Sequence, residues 1–181
     1  MAEMSVEQKR YLTARFSEFV AAVHRNSGTG QSIRMPYQWQ IRLMLYVAEH
    51  GHWPQSIGAP TASGKTCVID IHVFLNALAG LSAAGGGELS NLPLRKIPRR
   101  LALTVNRRSL VDDQFDEANA LQKRMQDEND ENSGSDGLDI YRKGLELRSA
   151  INDGIQQESK TPRMIAVELR GGVSPDREWR Y

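Results

Sequence analysis

Apolar residues along the first fifty positions fall at the spacing of helix faces. From Val6 to His24 they stand at Tyr11, Leu12, Phe16, Phe19, Val20 and Val23, which predicts one amphipathic helix. A polar Gly/Ser turn over Arg25 to Arg34 ends it. Met35-Pro36-Tyr37 then opens a second helix from about Gln38 to His50, with Ile41, Leu43, Met44, Tyr46 and Val47 apolar. Trp53 to Gly58 reads as a short strand and Thr66 to Leu78 as a helix. Gly80 to Pro98, rich in Gly, Ala, Ser and Pro, reads as a surface loop. The run Leu101-Ala102-Leu103-Thr104-Val105 has the continuous apolar character of a buried parallel strand. A helix follows from Arg107 to Met125, and another is expected within Leu138 to Ile155. Arg163 to Leu169 reads as a third strand. Strands alternating with helices predict an α/β fold, a parallel sheet with helices on both faces.

Composition narrows this picture only a little. At 181 residues there is room for one ordinary domain. Residues 1–34 read as an N-terminal helical segment and residues 35–181 as the main unit. Residues 127–139 inside that unit form an acidic, solvated linker. Lys and Arg outnumber Asp and Glu 11 to 6 in the first hundred residues, and the balance reverses to 12 against 16 afterwards. The chain therefore has no overall basic face. Cys67 is the single cysteine, which excludes an internal disulfide and a multi-cysteine zinc site, and reads as a small buried hydrophobe. Apolar runs fall short of the ~20 residues of a membrane span. Met1-Ala2-Glu3-Met4-Ser5 lacks a secretory signal, so a cytoplasmic location is expected.

Chemistry enters at Ala59-Pro60-Thr61-Ala62-Ser63-Gly64-Lys65-Thr66, placed between the expected first strand and its helix. A strand, a tight loop and a helix form the context of a phosphate-binding loop. Backbone N–H groups of the loop and helix start would surround a phosphate. Lys65 would reach the β- and γ-phosphates of a nucleotide as a point charge, and the Thr66 hydroxyl would ligate Mg²⁺. Gly64 leaves room for close approach of backbone to phosphate. A plain capped turn is the competing reading. The first position of the general motif is Ala59 rather than glycine. The form Ala-Pro-Thr-x-x-Gly-Lys-Thr resembles that of superfamily 2 helicases.

Other segments extend the resemblance. Gln40, within Met35-Pro36-Tyr37-Gln38-Trp39-Gln40, resembles the glutamine of the Q motif, which reads a donor and an acceptor on the adenine edge. Leu103 to Gln114 looks like motif Ia, in which Asn106, Arg107 and Arg108 would hold the backbone of a DNA strand. Gly51-His52-Trp53-Pro54, the Pro60–Ile71 segment, Asn106–Asp112 and Leu169-Arg170-Gly171-Gly172-Val173 follow one another. In that order they resemble the N-terminal part of the type I CRISPR-associated helicase–nuclease, in its G (formerly U) subtype. The resemblance implies a partial first RecA-like lobe. It implies ATP and Mg²⁺ held by Gln40, Thr61, Ala62, Ser63, Gly64, Lys65 and Thr66. It also implies single-stranded DNA at Asn106 to Arg108 and at the Gly171-Gly172 turn, and a guide-RNA surveillance complex as partner.

Superfamily 2 chemistry also needs an acidic motif after an apolar strand. Asp127-Glu128-Asn129-Asp130 has the letters but follows Lys123-Arg124-Met125-Gln126, and Asp116-Glu117-Ala118-Asn119 lies mid-helix. The sequence holds no His-Asp pair for a metal nuclease, and His50 and His52 read as a polar helix end. The chain is therefore expected to be the front piece of a longer helicase, binding nucleotide weakly and turning it over little or not at all. A small P-loop phosphotransferase and a non-catalytic nucleotide-binding remnant are the alternatives.

Overall fold

Twelve consecutive residues, Ile69 to Gly80, are buried. A helix apolar on every side must be covered on every side, and this one organises the molecule. A computed structural model describes residues 3–25, 34–60, 62–85, 89–105, 107–126, 137–150 and 164–168. Five helices run through them: α1 (Val6–Val23), α2 (Gln38–His50), α3 (Val68–Gly85), α4 (Arg108–Gln126) and α5 (Asp139–Ala150). Short 3₁₀ turns at Lys65–Cys67 and Pro93–Lys96 flank α3. The central helix packs most extensively on α5, then on the Pro93–Lys96 turn, α2 and α1.

Local chemistry fixes the helix ends. Ser5 and Gln8 form a capping box at the start of α1, and Gly51 closes α2 in the left-handed conformation, its N–H bonded to the Val47 carbonyl at 2.8 Å. Arginines cap the exits. Arg124 of α4 donates to the carbonyls of Ala22 and Arg25 at the end of α1, and Arg142 of α5 donates twice to the Arg124 carbonyl near the end of α4. Where the three helices meet, Phe16 and Phe19 of α1, Phe74 of α3 and Tyr141 of α5 form a ring cluster with centroids 4.9–5.7 Å apart. The Tyr141 hydroxyl donates to the Arg15 carbonyl, and burial pushes its pKa up to about 12.

The expected parallel sheet is not there. Among the described residues no strand forms, and the segments at 53–58, 101–105 and 164–168 carry no regular secondary structure. Two physical reasons stand out. Ala102, Leu103 and Thr104 are exposed, whereas a central parallel strand is buried on both faces. The backbone of 164–168 is satisfied by glutamines of α4 instead of a neighbouring strand: Gln126 donates to the Met164 carbonyl and the Ala166 N–H donates to Gln122. Helices α1, α2 and α5 occupy the sides of α3 that sheet and flanking helices would have taken. A partial RecA-like lobe with helices on both faces of a sheet is therefore not the fold.

Two further expectations change. The stretch expected as a surface loop over 80–98 is largely structural, because α3 continues to Gly85 and Leu89, Leu92, Leu94 and Ile97 are buried. Apolar runs were expected to fall short of a membrane span; among the described residues one helix, Lys65–Gly85, is long and apolar enough by length and composition to pass. An 18-residue window of it is 67% buried inside the protein, the pattern of a core helix.

The α3–α5 contact is backbone on backbone. A Cβ on Gly80 would collide with the Gly144 carbonyl oxygen, and one on Gly144 with the carbonyl of Ala77. Neither obstacle is a flexible side chain, so Gly144→Leu should fall at the upper end of overpacking penalties, about 3 kcal/mol. At this chain length that corresponds to a Tm lower by about 6–12 °C, read by thermal unfolding followed by circular dichroism.

Candidate functional site

The start of α3 and the first turn of α2 build one site between them. Ala62 (φ 58°) and Gly64 (φ 72°) both lie in the left-handed region, so the chain makes a tight reversal before the Lys65–Cys67 turn. Ser63 closes the loop through its hydroxyl, which donates to the Pro60 carbonyl at 2.7 Å. Beneath it, the Trp39 indole N–H donates to the Ser63 carbonyl at 3.1 Å, and the Gln40 amide donates to the Gly64 carbonyl at 2.9 Å. The other end of that amide, Oε1, accepts from the Tyr37 N–H at 2.8 Å. A side chain at Gly64 would be strained by its left-handed φ of 72° and would press on the Gln40 amide, whose nitrogen would lie 2.9 Å from the Cβ.

The first hydrogen bonds of the turn run from the Cys67 N–H to the Gly64 carbonyl at 3.1 Å and from the Val68 N–H to the carbonyls of Lys65 and Thr66, so the N–H groups of Lys65 and Thr66 lie ahead of them. Lys65 is exposed, and among the described residues no carboxylate pairs with it. Thr66 follows, half-buried in the first turn. The arrangement offers a cation, a hydroxyl and helix-start N–H groups in sequence, the elements that hold a phosphate.

Behind the loop lies a buried polar network. Asp70, 6% exposed, pairs with His24 Nε2 at 3.0 Å, which ties α3 to the end of α1. Burial first, and the neighbouring Asp70 second, push the Cys67 thiol well above its ordinary range. Cys67 is thus the small buried residue that its position suggested, and chemically quiet. Arg34 pairs with Glu117 of α4 at 2.8 Å, close enough to Asp70 and Cys67 for its charge to be felt there.

Each expected site residue can now be located. Ala62, Ser63, Gly64, Lys65 and Thr66 form the loop and turn. Gln40 lies under them, 4% exposed, with its carbonyl oxygen and one N–H engaged inside the protein. In this arrangement it positions the loop. Arg107 is exposed, and its carbonyl accepts from the N–H groups of Leu110 and Val111 at the start of α4. Thr61, Asn106, Gly171, Gly172 and the Arg108 side chain lie outside the described residues, as do Asp127 to Asp130. Glu117, rejected as a catalytic acid from sequence, is half-buried in its pair with Arg34. Trp39 was missed as a loop contact; its place one residue before Gln40 was the available signal.

A second polar cluster grips the chain beyond α3. His72 Nε2 lies 3.2 Å from the Arg99 carbonyl, and Asn76 donates to the Pro98 carbonyl and accepts from Arg148. A carbonyl only accepts, so the proton sits on Nε2 and leaves Nδ1 buried without a partner. Charging the ring would bury an unsatisfied N–H, and burial accordingly lowers the His72 pKa. Its folded value lies below that of the unfolded chain, so stability is full above pH ~6.5 and falls as pH drops from there through the folded value. His72→Gln keeps a donor for Arg99 and removes the titration. The loss of Tm between pH 7.5 and 5.5 should be smaller in the variant than in the wild type; equal losses would remove His72 as the cause.

No family model matches this chain, and neither a curated protein nor a solved structure gives a significant match.

Proposed function

We propose that this chain binds ATP at the Ala62–Thr66 loop, as part of an ATP-driven DNA helicase or translocase of the CRISPR-associated kind. The carrying observation is the loop itself: two left-handed residues, then an exposed Lys65 with no carboxylate partner among the described residues, at the mouth of an 18-residue helix. The order of the helicase-like segments supports the nucleotide and the DNA as ligands. Lys65 would neutralise the terminal phosphates, and the N–H groups at residues 64–66 would hold the β-phosphate. Trp39 and Gln40 act as positioning residues that keep the loop carbonyls turned away from the anion.

Thr66 fits Mg²⁺ as a single hydroxyl ligand. The described residues contain no acidic or histidine cluster that would hold the ion without the nucleotide, and Mg²⁺ commonly takes phosphate oxygens and water for most of its shell. When bound it would offset phosphate charge. DNA would meet the start of α4 at Arg107 and Arg108, and a guide-RNA surveillance complex is the partner that the resemblance suggests. We place this work in the cytoplasm, where ATP is supplied.

A fluorescent ATP analogue titrated with Mg²⁺ present tests the site. Charge-assisted hydrogen bonds contribute about 1.5–3 kcal/mol, so Lys65→Ala should weaken binding roughly 10- to 150-fold. Equal affinity in Lys65→Ala and the wild type would end the phosphate reading. Gln40→Ala should weaken binding less, by several-fold, because it acts only through the loop. Hydrolysis should be slow or absent; turnover that vanishes in Lys65→Ala would reveal an acid and a water-orienting group that the sequence does not display. Single-stranded DNA should alter the nucleotide affinity, and indifference to DNA would favour a small phosphotransferase.

A further inference from the structure

Arg95, Lys96, Arg99 and Arg100 place four cations within six residues beyond α3, and all four are exposed. Ile97, between the two cation pairs, turns the other way at 2% exposed, as does Leu94 just before them at 1%. The backbone is held from inside. Arg148 Nη2 donates to the carbonyls of Arg95 and Ile97 at 3.1 and 3.0 Å, Asn76 to that of Pro98 at 3.2 Å, and His72 to that of Arg99 at 3.2 Å. Four carbonyls fixed inward leave the charged side chains facing outward on a rigid track. Among the described residues no carboxylate pairs with Arg95, Lys96 or Arg99. Arg148 behind them is also held by carbonyls and Asn76 rather than by an acid. Burial, and after it the nearby Arg99 and Arg95, lower its pKa, as expected where positive charge goes unneutralised.

The geometry points to residues 95–100 as a docking track for a nucleic-acid backbone, distinct from the loop that takes the nucleotide. This inference rests on the reading that DNA is a ligand. Charge complementarity selects a polyanion, and Ile97 within the track is buried rather than available to insert into a bilayer. From Arg95 to Arg99 the chain can span at most ~13 Å. A DNA strand carries a phosphate about every 3.4 Å of helix axis, so the two cation pairs can meet phosphates a few steps apart. No aromatic residue lies between Pro93 and Arg100 to stack on bases, so contact should be sequence-independent.

The test is fluorescence anisotropy of a labelled 20-mer, single-stranded and then duplex, with the full chain from 50 to 200 mM NaCl. The variants are Arg95→Gln/Lys96→Gln/Arg99→Gln, Arg107→Gln/Arg108→Gln, and Arg10→Gln as an exposed control. The triple variant should lose tenfold or more in affinity at 50 mM salt. Its log K against log [salt] slope should be shallower by about 2 units on the single strand, since each phosphate contact contributes about 0.7. Nucleotide affinity and the far-ultraviolet circular dichroism spectrum should match the wild type. Wild-type affinity and slope in the triple variant would overturn the inference; if Arg107→Gln/Arg108→Gln alone then abolished binding, the DNA reading would stand without it. No oligonucleotide binding by the wild type would overturn both, leaving nucleotide binding to be judged by Lys65→Ala. Binding to phosphatidylserine vesicles through the same three residues, with none to oligonucleotide, would also overturn the inference.

Discussion

A helix without a polar face has one requirement, that every side be covered, and α3 imposes it on the rest of the molecule. Its buried run supplies the floor on which α1, α2 and α5 lie, and even the irregular chain at 92–97 is recruited as cover. The polar residues this helix buries each reach a partner, although Nδ1 of His72 is left without one. Asp70 reaches His24, and His72 and Asn76 reach backbone carbonyls beyond the helix. The loop that opens α3 escapes this burial, as do the residues of its last turn. Packing thus fixes the helix while its N-terminal end remains open to solvent.

The loop is tied to its surroundings by hydrogen bonds whose individual worth is modest, about 1 kcal/mol each. Their value lies in direction. Trp39 and Gln40 come from consecutive positions of one turn and grip consecutive carbonyls, so the loop and the start of α2 move as a unit. Gln40 also accepts from the Tyr37 N–H at its own helix start, which joins the cap of α2 to the conformation of Gly64. Any ligand that needs a different loop must rearrange the entry of α2 as well.

The helices were legible because their signals are local. The second helix has the bounds expected, Gln38 to His50, opened by Met35-Pro36-Tyr37, and the Ser63–Thr66 loop was legible from its letters. The sheet was not, and the reason is physical: a short, mostly apolar run such as Leu101-Ala102-Leu103-Thr104-Val105 suits a strand or an irregular segment laid on a helical core equally well. Only the partner decides, and the partner of 164–168 is a pair of glutamine side chains on α4, far away in sequence. The segment over 80–98 misled through composition. Gly, Ala and Ser suggested solvent, yet the small residues at 77–80 serve a close helix crossing and the leucines beyond them return to the core. Gln40 was singled out for the group it carries; its role under the loop depended on a neighbour 24 positions away.

The close crossing of Gly80 and Gly144 has a mechanical reach beyond its own packing. With backbone against backbone, the two helices approach as closely as glycines allow, and a tight crossing of this kind resists displacement of α3 on α5. Gly64 lies sixteen residues upstream, about 24 Å along the helix at 1.5 Å per residue. The helix therefore works as a rigid rod clamped near its far end, and the clamp sets how accurately the loop is aimed. The orientation of Lys65 and Thr66 toward a ligand is governed in part by two residues that ligand never touches.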